Sequence, residues 1–421
     1  MVATDTHITV FQHLAILTTI TAVLSYVNHR FIKMPTAIGL MVLTMAGAVL
    51  LIALKAAGID IESRVHPFVA SIDFEAVLMD SMLGFLLFAG ALHVDIDSLL
   101  DRKYTIGILA TVGVVTSTLL IGGLVYGLSR VMDLEMAWIY CLLFGALISP
   151  TDPIAVLAIL KKANASHGIK TKLAGESLFN DGVAVILFIA LLDIVKTSQG
   201  GGHAERHGVG MLLWHFLKDA GGGVLLGLVS GYLVFLLLKS IDNYQVEVLL
   251  TVALVAGGYA LAQQLHVSGP LAMVVAGLMI GNHGRQLAMS PQVVERLDTF
   301  WEMIDELLNA LLFVLIGLEV LILTLNGRYI LAGVIAIPIC LAVRFVCVAV
   351  PITLLRQKRE FSPNSIKILT WAGLRGGIAV ALALAIPADD HTPRELILTM
   401  TYVVVAFSIV VQGLTVKYLV K

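Results

Sequence analysis

Apolar runs of about 20 residues, each long enough to cross the hydrocarbon core of a bilayer as a helix, follow one another along this chain. Thirteen can be counted, roughly at 10–27, 35–54, 74–92, 104–129, 136–160, 173–195, 211–238, 245–265, 268–281, 300–323, 329–355, 364–386 and 395–419, the ninth being short. Inside a membrane every backbone N–H and C=O must find its partner within the protein, which leaves helices or closed barrels as the spanning structures. Runs of this length predict helices. The expected fold class is therefore an all-α polytopic membrane protein with about 13 transmembrane helices. Composition agrees, with 58% hydrophobic and 13% charged residues against roughly 25% charged in soluble domains.

The basic residues test that count independently, because loops on the cytoplasmic side carry the excess of Lys and Arg. With the amino terminus outside and the carboxy terminus cytoplasmic, the loops placed inside and the tail hold seventeen Lys and Arg, and those placed outside hold seven. No Lys or Arg precedes the first run, whereas Arg30 and Lys33 follow it, which predicts a retained span and not a cleaved signal peptide. The net charge of −2 offers no basic field, and no glycine-rich phosphate cradle follows a strand. Neither nucleic acid nor nucleotide is expected as a partner. Cys141, Cys340 and Cys347 lie inside apolar runs without paired or metal-ligand spacing. No cofactor is implied.

An internal repeat at an offset of about 224 residues relates Ile154-Ala155-Val156, after Thr151-Asp152-Pro153, to Ile378-Ala379-Val380, after Arg375-Gly376-Gly377. Equivalent runs are seven apart, an odd number, so the two halves have opposite orientations. The expected organisation is a first six-helix repeat over 10–196, a loop and linking helix seven over 197–238, and a second, inverted six-helix repeat over 239–421, with helices five and twelve discontinuous. Inverted repeats with paired interrupted helices are the architecture of secondary transporters, whose sites lie near the midplane at the breaks.

Polar residues within the runs mark the candidate site. In the sixth, Gly175-Glu176-Ser177-Leu178-Phe179-Asn180-Asp181-Gly182 places Ser177, Asn180 and Asp181 at i, i+3 and i, i+4 on one helical face, with Glu176 on the adjacent face. In the fifth, Ser149-Pro150-Thr151-Asp152-Pro153 interrupts the helical ladder and frees carbonyls for a small dehydrated cation. A proline kink with Asp152 as a cap is the plainer alternative. The twelfth run breaks at Gly373-Leu374-Arg375-Gly376-Gly377, and Arg344 sits midway along the eleventh. A charge at the membrane centre costs roughly 2.5–3.5 kcal/mol on the insertion scale, so each needs a partner. Arg344 is expected to pair with Glu176 as a structural tie, and Arg375 to stabilise the crossing of the two broken helices. Asp152, Glu176 and Asp181 against Arg344 and Arg375 leave one negative charge, which one monovalent cation or one proton cancels. The two would compete at Asp181, and competition at one site gives exchange.

Other features are plainer. Gly223, Gly227 and Gly231 form a smooth ridge that suits close helix packing. His203, Glu205 and His207 in the linker suit a solvated loop better than a metal site, and no metal other than a transported monovalent cation is expected. Glu302, Asp305 and Glu306 are either an acidic funnel mouth or a solvated helix end. His29, His167 and His283 fall in loops near the inner surface, where a surface histidine without a role is the commoner case.

The motifs at 149–156, 175–182 and 373–377, supported by Phe85 to Val94, Asn309 to Glu319 and the Val267 to Ala272 stretch, resemble the signatures of the monovalent cation:proton antiporters. The branch is the NhaP-like one, related to the animal sodium/proton exchangers. The resemblance covers most of the chain. It implies a thirteen-span inverted-repeat fold, a homodimer, and an elevator-like movement of a six-helix core against a dimerisation domain in the bilayer. It also implies electroneutral exchange of one sodium or lithium ion for one proton across a bacterial inner membrane. By the match, Asp181 carries the ion or proton, Thr151, Asp152 and Ser177 contribute ligands directly or through water, Asn180 steadies the site, and Glu176 with Arg344 is the family's ion pair. Ala89 stands where many relatives carry Glu, Gln263 stands where Glu is frequent, and the long regulatory tail of the animal exchangers is absent. The expected activity is sodium(lithium)/proton antiport, with potassium/proton antiport as the alternative and a cation channel as the reading from another class. No enzymatic constellation of nucleophile and base is found.

Overall fold

A computed structural model describes residues 10–101, 103–152, 156–157, 160, 167–199, 209–323, 326–356, 364–387 and 392–419. Pro153, Ile154 and Ala155, the linker group His203, Glu205 and His207, and the side chain of His167 lie outside the described residues. Among those described there is no strand, only an isolated antiparallel bridge between Asp152 and Leu374.

The helices that frame the site are α1 (Val10–Val27), α2 (Thr36–Ala56), α3 (Leu83–Leu92), α4 (Val112–Val131), α5 (Trp138–Ile148), α6 (His167–Gln199), α7 (Val209–Lys239), α8 (Tyr244–Gln264), α9 (Gly269–Met279), α10 (Pro291–Leu318), α11 (Gly327–Leu355), α12 (Ser365–Trp371), α13 (Gly377–Leu384) and α14 (Arg394–Phe407). Seven stretches among the described residues are long and apolar enough to cross a membrane: Thr36–Ala56, Lys103–Val131, Thr171–Lys196, Leu217–Lys239, Tyr244–Gln264, Gly327–Leu355 and Arg394–Tyr418. The fold is all-helical and multi-pass.

Helix starts follow local chemistry. Asn243 caps α8 by accepting from Gln245 N and Val246 N, and the buried Glu247, one position beyond that of a capping-box acid, reaches back to accept from Asn243 N at 3.2 Å. Ser268 caps α9 with Pro270 in the first turn, where a missing N–H is harmless. Asn326 caps α11 in the same way.

Packing sorts the helices into neighbourhoods. α4 packs on α5 and α11, α6 on α5, α11 on α14, and α13 on α14. On the other side α2 and α1 pack on α10, while α9 packs on α3, α7 and α8. The glycine ridge of α7 is the contact with α9: a Cβ at Gly223, Gly227 or Gly231 would press on Ser268, Ala272 or Ala276 respectively. The opposite side of α7 exposes Leu225, Val229, Leu233 and Leu236, a face that suits lipid and not water.

Gly227→Leu drives a side chain into the Ala272 backbone, and overpacking of this kind costs about 1–3 kcal/mol. Gly221, on the same helix, meets nothing within 4 Å. Detergent-purified Gly227→Leu should melt at lower temperature than wild type while Gly221→Leu melts with wild type; equal melting of the two variants would show that the ridge does not hold α7 to α9.

Candidate functional site

The site is built where two helices stop. α5 ends at Ile148, Pro150 has no N–H to continue the ladder, and the chain runs non-helically through Thr151 and Asp152. α12 ends at Trp371, and a non-helical stretch leads to Gly377 at the start of α13. The two interruptions lie against each other. Asp152 N donates to Leu374 O at 2.8 Å, and the Arg375 guanidinium donates through Nη1 to the carbonyls of both Ser149 and Pro150, the latter at 2.8 Å. Arg375 N in turn donates to Ser408 Oγ at 2.9 Å, Ser408 to Gln412 Oε1, and Gln412 Nε2 to Trp371 O at 3.1 Å. The break in one helix is thus satisfied by the break in the other. This differs from the expectation that freed carbonyls hold a cation. Those of Ser149, Pro150, Trp371 and Leu374 are occupied by protein donors, because in a low-dielectric interior an unpaired carbonyl costs more than recruiting a side chain to it.

Two glycines permit this closeness. A Cβ at Gly376 would run into the Asp152 carboxylate, and one at Gly373 would sit 2.7 Å from Arg344 Nε.

α6 supplies the facing wall. Arg344 Nη1 pairs with Glu176 Oε1, both residues are buried, and Arg344 Nη2 donates to Leu369 O at 3.1 Å. The pair ties α6 and α11 to α12. Ser177 and Asp181, one turn apart, line a cavity of about 520 Å³ together with Pro150, Asp152, Gly376 and Gly377. Asn180 differs from the expectation of three polar groups converging on one face. It turns toward the break and donates through Nδ2 to Thr151 Oγ1 at 2.9 Å. The successive positions 180 and 181 diverge by about 100° on a helix, so only the i, i+4 pair Ser177 and Asp181 shares the cavity. Both Thr151 and Asn180 are buried.

Asp181 is buried and lies within electrostatic reach of Asp152. Among the described residues no hydrogen-bond donor reaches its carboxylate. The opposite wall comes from α3 and α10, with Ala89, Gly90 and His93 on one and Glu302, Asp305 and Asn309 on the other. Asp305 and Glu302 are carboxylates that the five-charge count omits, and Asp305 too lies within reach of Asp152. The count is corrected by geometry. Arg344 is spent on Glu176 and Arg375 on backbone carbonyls, so Asp152, Asp181, Glu302 and Asp305 share the cavity with no Lys or Arg among the described residues that line it.

Sequence inspection missed Ser408 and Gln412, which carry the second break. Two polar side chains at i, i+4 inside the last apolar run were the available signal. Gln263 is exposed and stands apart from the site, and the exposed His29 and His283 do not line the cavity.

Residues 16–421 match the family described as sodium/hydrogen exchanger, transmembrane. The chain is 48% identical over 407 residues to the Na(+)/H(+) antiporter NhaP of Pseudomonas aeruginosa, covering 96% of this chain and 94% of that protein. It is 38% identical over 350 residues to the Na(+)/H(+) antiporter NhaH of Halobacillus dabanensis, covering 83% of each. The solved structure of the sodium proton antiporter MjNhaP1 from Methanocaldococcus jannaschii at pH 8 matches with a TM-score of 0.74 at 18% identity, over 97% of both chains, a likeness of fold. With two broken helices crossed at a buried arginine and a carboxylate pair beside them, the chain belongs to the sodium/hydrogen exchanger family.

Proposed function

We propose that the chain exchanges sodium, or lithium, for protons across the membrane, with cation and proton competing for Asp181. One observation carries this: a buried carboxylate that no hydrogen-bond donor among the described residues reaches, beside a second carboxylate at Asp152 and a hydroxyl at Ser177, on the wall of a cavity with no Lys or Arg among its described lining residues. Such a group is stable neutral, carrying a proton, or neutralised by a bound cation, and unstable as a bare charge. Each occupant must leave before the other binds. Exchange is then electroneutral, one for one.

The remaining residues support that chemistry. Thr151 contributes through its hydroxyl or through water, and Asn180 steadies it by the bond already made. Glu176 and Arg344 form a structural tie, and Arg375 holds the crossing. The organisation follows the expected plan, with a first repeat over 10–196, a loop and linking helix over 197–238 and an inverted repeat over 239–421, thirteen spans in all, and the amino terminus outside. The antiparallel meeting of the two interruptions is what an inverted pair of broken helices produces, and it supports that plan. The chain works as a homodimer in the bilayer. The neighbourhood of α4–α6 and α11–α14 moves against the neighbourhood of α1–α3 and α7–α10, as an elevator does.

Proton-gradient dissipation in reconstituted vesicles, with sodium, lithium and potassium added in turn, tests the exchange. Wild type should respond to sodium and lithium, and Asp181→Asn to none. The half-saturating sodium concentration of wild type should rise as pH falls while the maximal rate holds, because protons occupy the same carboxylate. A preference for potassium would replace the substrate. Full exchange by Asp181→Asn would overturn the role given to Asp181.

The tie predicts coupling. Removing one partner of a buried ion pair leaves an uncompensated charge and costs about 3–5 kcal/mol, whereas removing both costs less than the sum. Glu176→Gln and Arg344→Gln should each lower folded yield sharply, and the double variant should recover part of it. Additive losses would show that the two residues act separately.

A further inference from the structure

We propose that Asp305 and Asn309 form a second monovalent-cation site in the same cavity, between its acidic rim and Asp181. It deepens the exchange reading and rests on it for the identity of the ion.

The two residues lie one turn apart on α10. Asn309 Nδ2 donates to Asp305 O at 2.8 Å and to Asp305 Oδ1 at 3.0 Å. Both acceptors fix which end of the amide is nitrogen, since the reversed amide would set oxygen against oxygen. Asn309 Oδ1 is therefore the end of the amide that Asp305 does not engage, and it is buried without a hydrogen-bond partner among the described residues. A buried acceptor left unmet needs a donor or a cation to account for it. Asn309 is itself buried and lines the cavity, and the half-buried Asp305 lines it beside Asn309.

The surroundings select a cation. Asp152, Glu302 and Glu306 are within electrostatic reach of Asp305, and His93, the one basic side chain among the described residues that line the cavity, sits beside Asp298, which is already paired with Arg285. Among the described residues no three His, Cys, Asp or Glu side chains gather to hold a metal ion. One carboxylate and one amide oxygen, completed by water, match a singly charged ion that keeps part of its hydration. On the facing wall Ala89 offers only a methyl group to this cavity. The acid of this site thus comes from the α10 side, and Asp305 receives the ion before Asp181 does.

Two measurements on the full-length protein test this. In vesicles, Asp305→Asn should raise the half-saturating sodium concentration about tenfold, a loss of roughly one charge-assisted contact, with the maximal rate changed by less than about twofold. Asn309→Ala should move it in the same direction, and Ala89→Asp added to Asp305→Asn should restore it by returning a carboxylate to the facing wall. In detergent, sodium-23 line broadening with sodium chloride should survive in Asp181→Asn and vanish in Asp181→Asn/Asp305→Asn. An unchanged half-saturation in Asp305→Asn, or loss of broadening in Asp181→Asn alone, overturns the second site. A fall in maximal rate and folded yield without a shift in half-saturation makes Asp305 a structural partner of Asn309 and overturns it as well. If wild type exchanges no alkali ion yet broadening persists until Asp305 is replaced, the site stands and the exchange function falls.

Discussion

The guanidinium of Arg375, donating to the carbonyls of Ser149 and Pro150, is the contact on which the rest of the site depends. Two helices cannot both stop in a low-dielectric interior unless their loose ends are paired, and water is not at hand to pair them. Here each break answers the other. Asp152 N takes Leu374 O, Arg375 takes the carbonyls before Thr151, and Ser408 with Gln412 closes the circuit back to Trp371. An Arg is suited to this because its planar fork presents several donors at fixed angles, whereas Lys offers a point charge.

Spending the positive charge on backbone has an electrostatic consequence. Had Arg375 paired with Asp152 or Asp181, that carboxylate would have been neutralised permanently and unable to trade ions. Instead its charge meets carbonyl dipoles, and Arg344 is held by Glu176 and Leu369 O. Asp181 is left without a hydrogen-bond donor among the described residues. In the proposed exchange, stability and transport fall to different acids: Glu176 is held by Arg344, and Asp181 faces the cavity. The breaks, which cost helical hydrogen bonds, bring the backbone of Asp152 up to the second interruption and so carry its carboxylate to the cavity wall.

Much of this was legible in the chain. Apolar run length gives all-helical, multi-pass architecture because hydrocarbon permits little else. Prolines at 150 and 153 and glycines at 373, 376 and 377 announce interruptions, and buried Glu176 and Arg344 announce a pair because neither is tolerable alone. What spacing could not give is rotation and tertiary neighbourhood. Asn180 was expected beside Asp181 at the ion and lies turned toward Thr151, since adjacent helical positions point far apart. Asp305 could be read equally as part of an acidic funnel mouth or of a solvated helix end, because its partners in the cavity are about 125 and 150 positions away in the chain. Ser408 and Gln412 were invisible for a related reason: a serine in an apolar run declares that it needs a partner without saying which.

The cavity is shared between two packing neighbourhoods, and this bears on how the proposed exchange avoids becoming a leak. Ser177 and Asp181 belong to α6, which packs on α5, and Asp152 is tied to the second break, so in the proposed elevator movement these three would travel with the crossing as one unit. Ala89, Asp305 and Asn309 belong to α3 and α10, on the other side. Sliding one group against the other separates Asp181 from Asp305 without touching a bond of the crossing, because no bond of the crossing spans the boundary. Only an occupied Asp181, neutral with a proton or a cation, can pass the apolar wall that such a slide interposes, since an empty one would carry a bare charge through it at a cost of several kcal/mol. In the proposed exchange the penalty on the empty carrier couples the two ions, and it arises from the same burial that left Asp181 without a hydrogen-bond donor among the described residues.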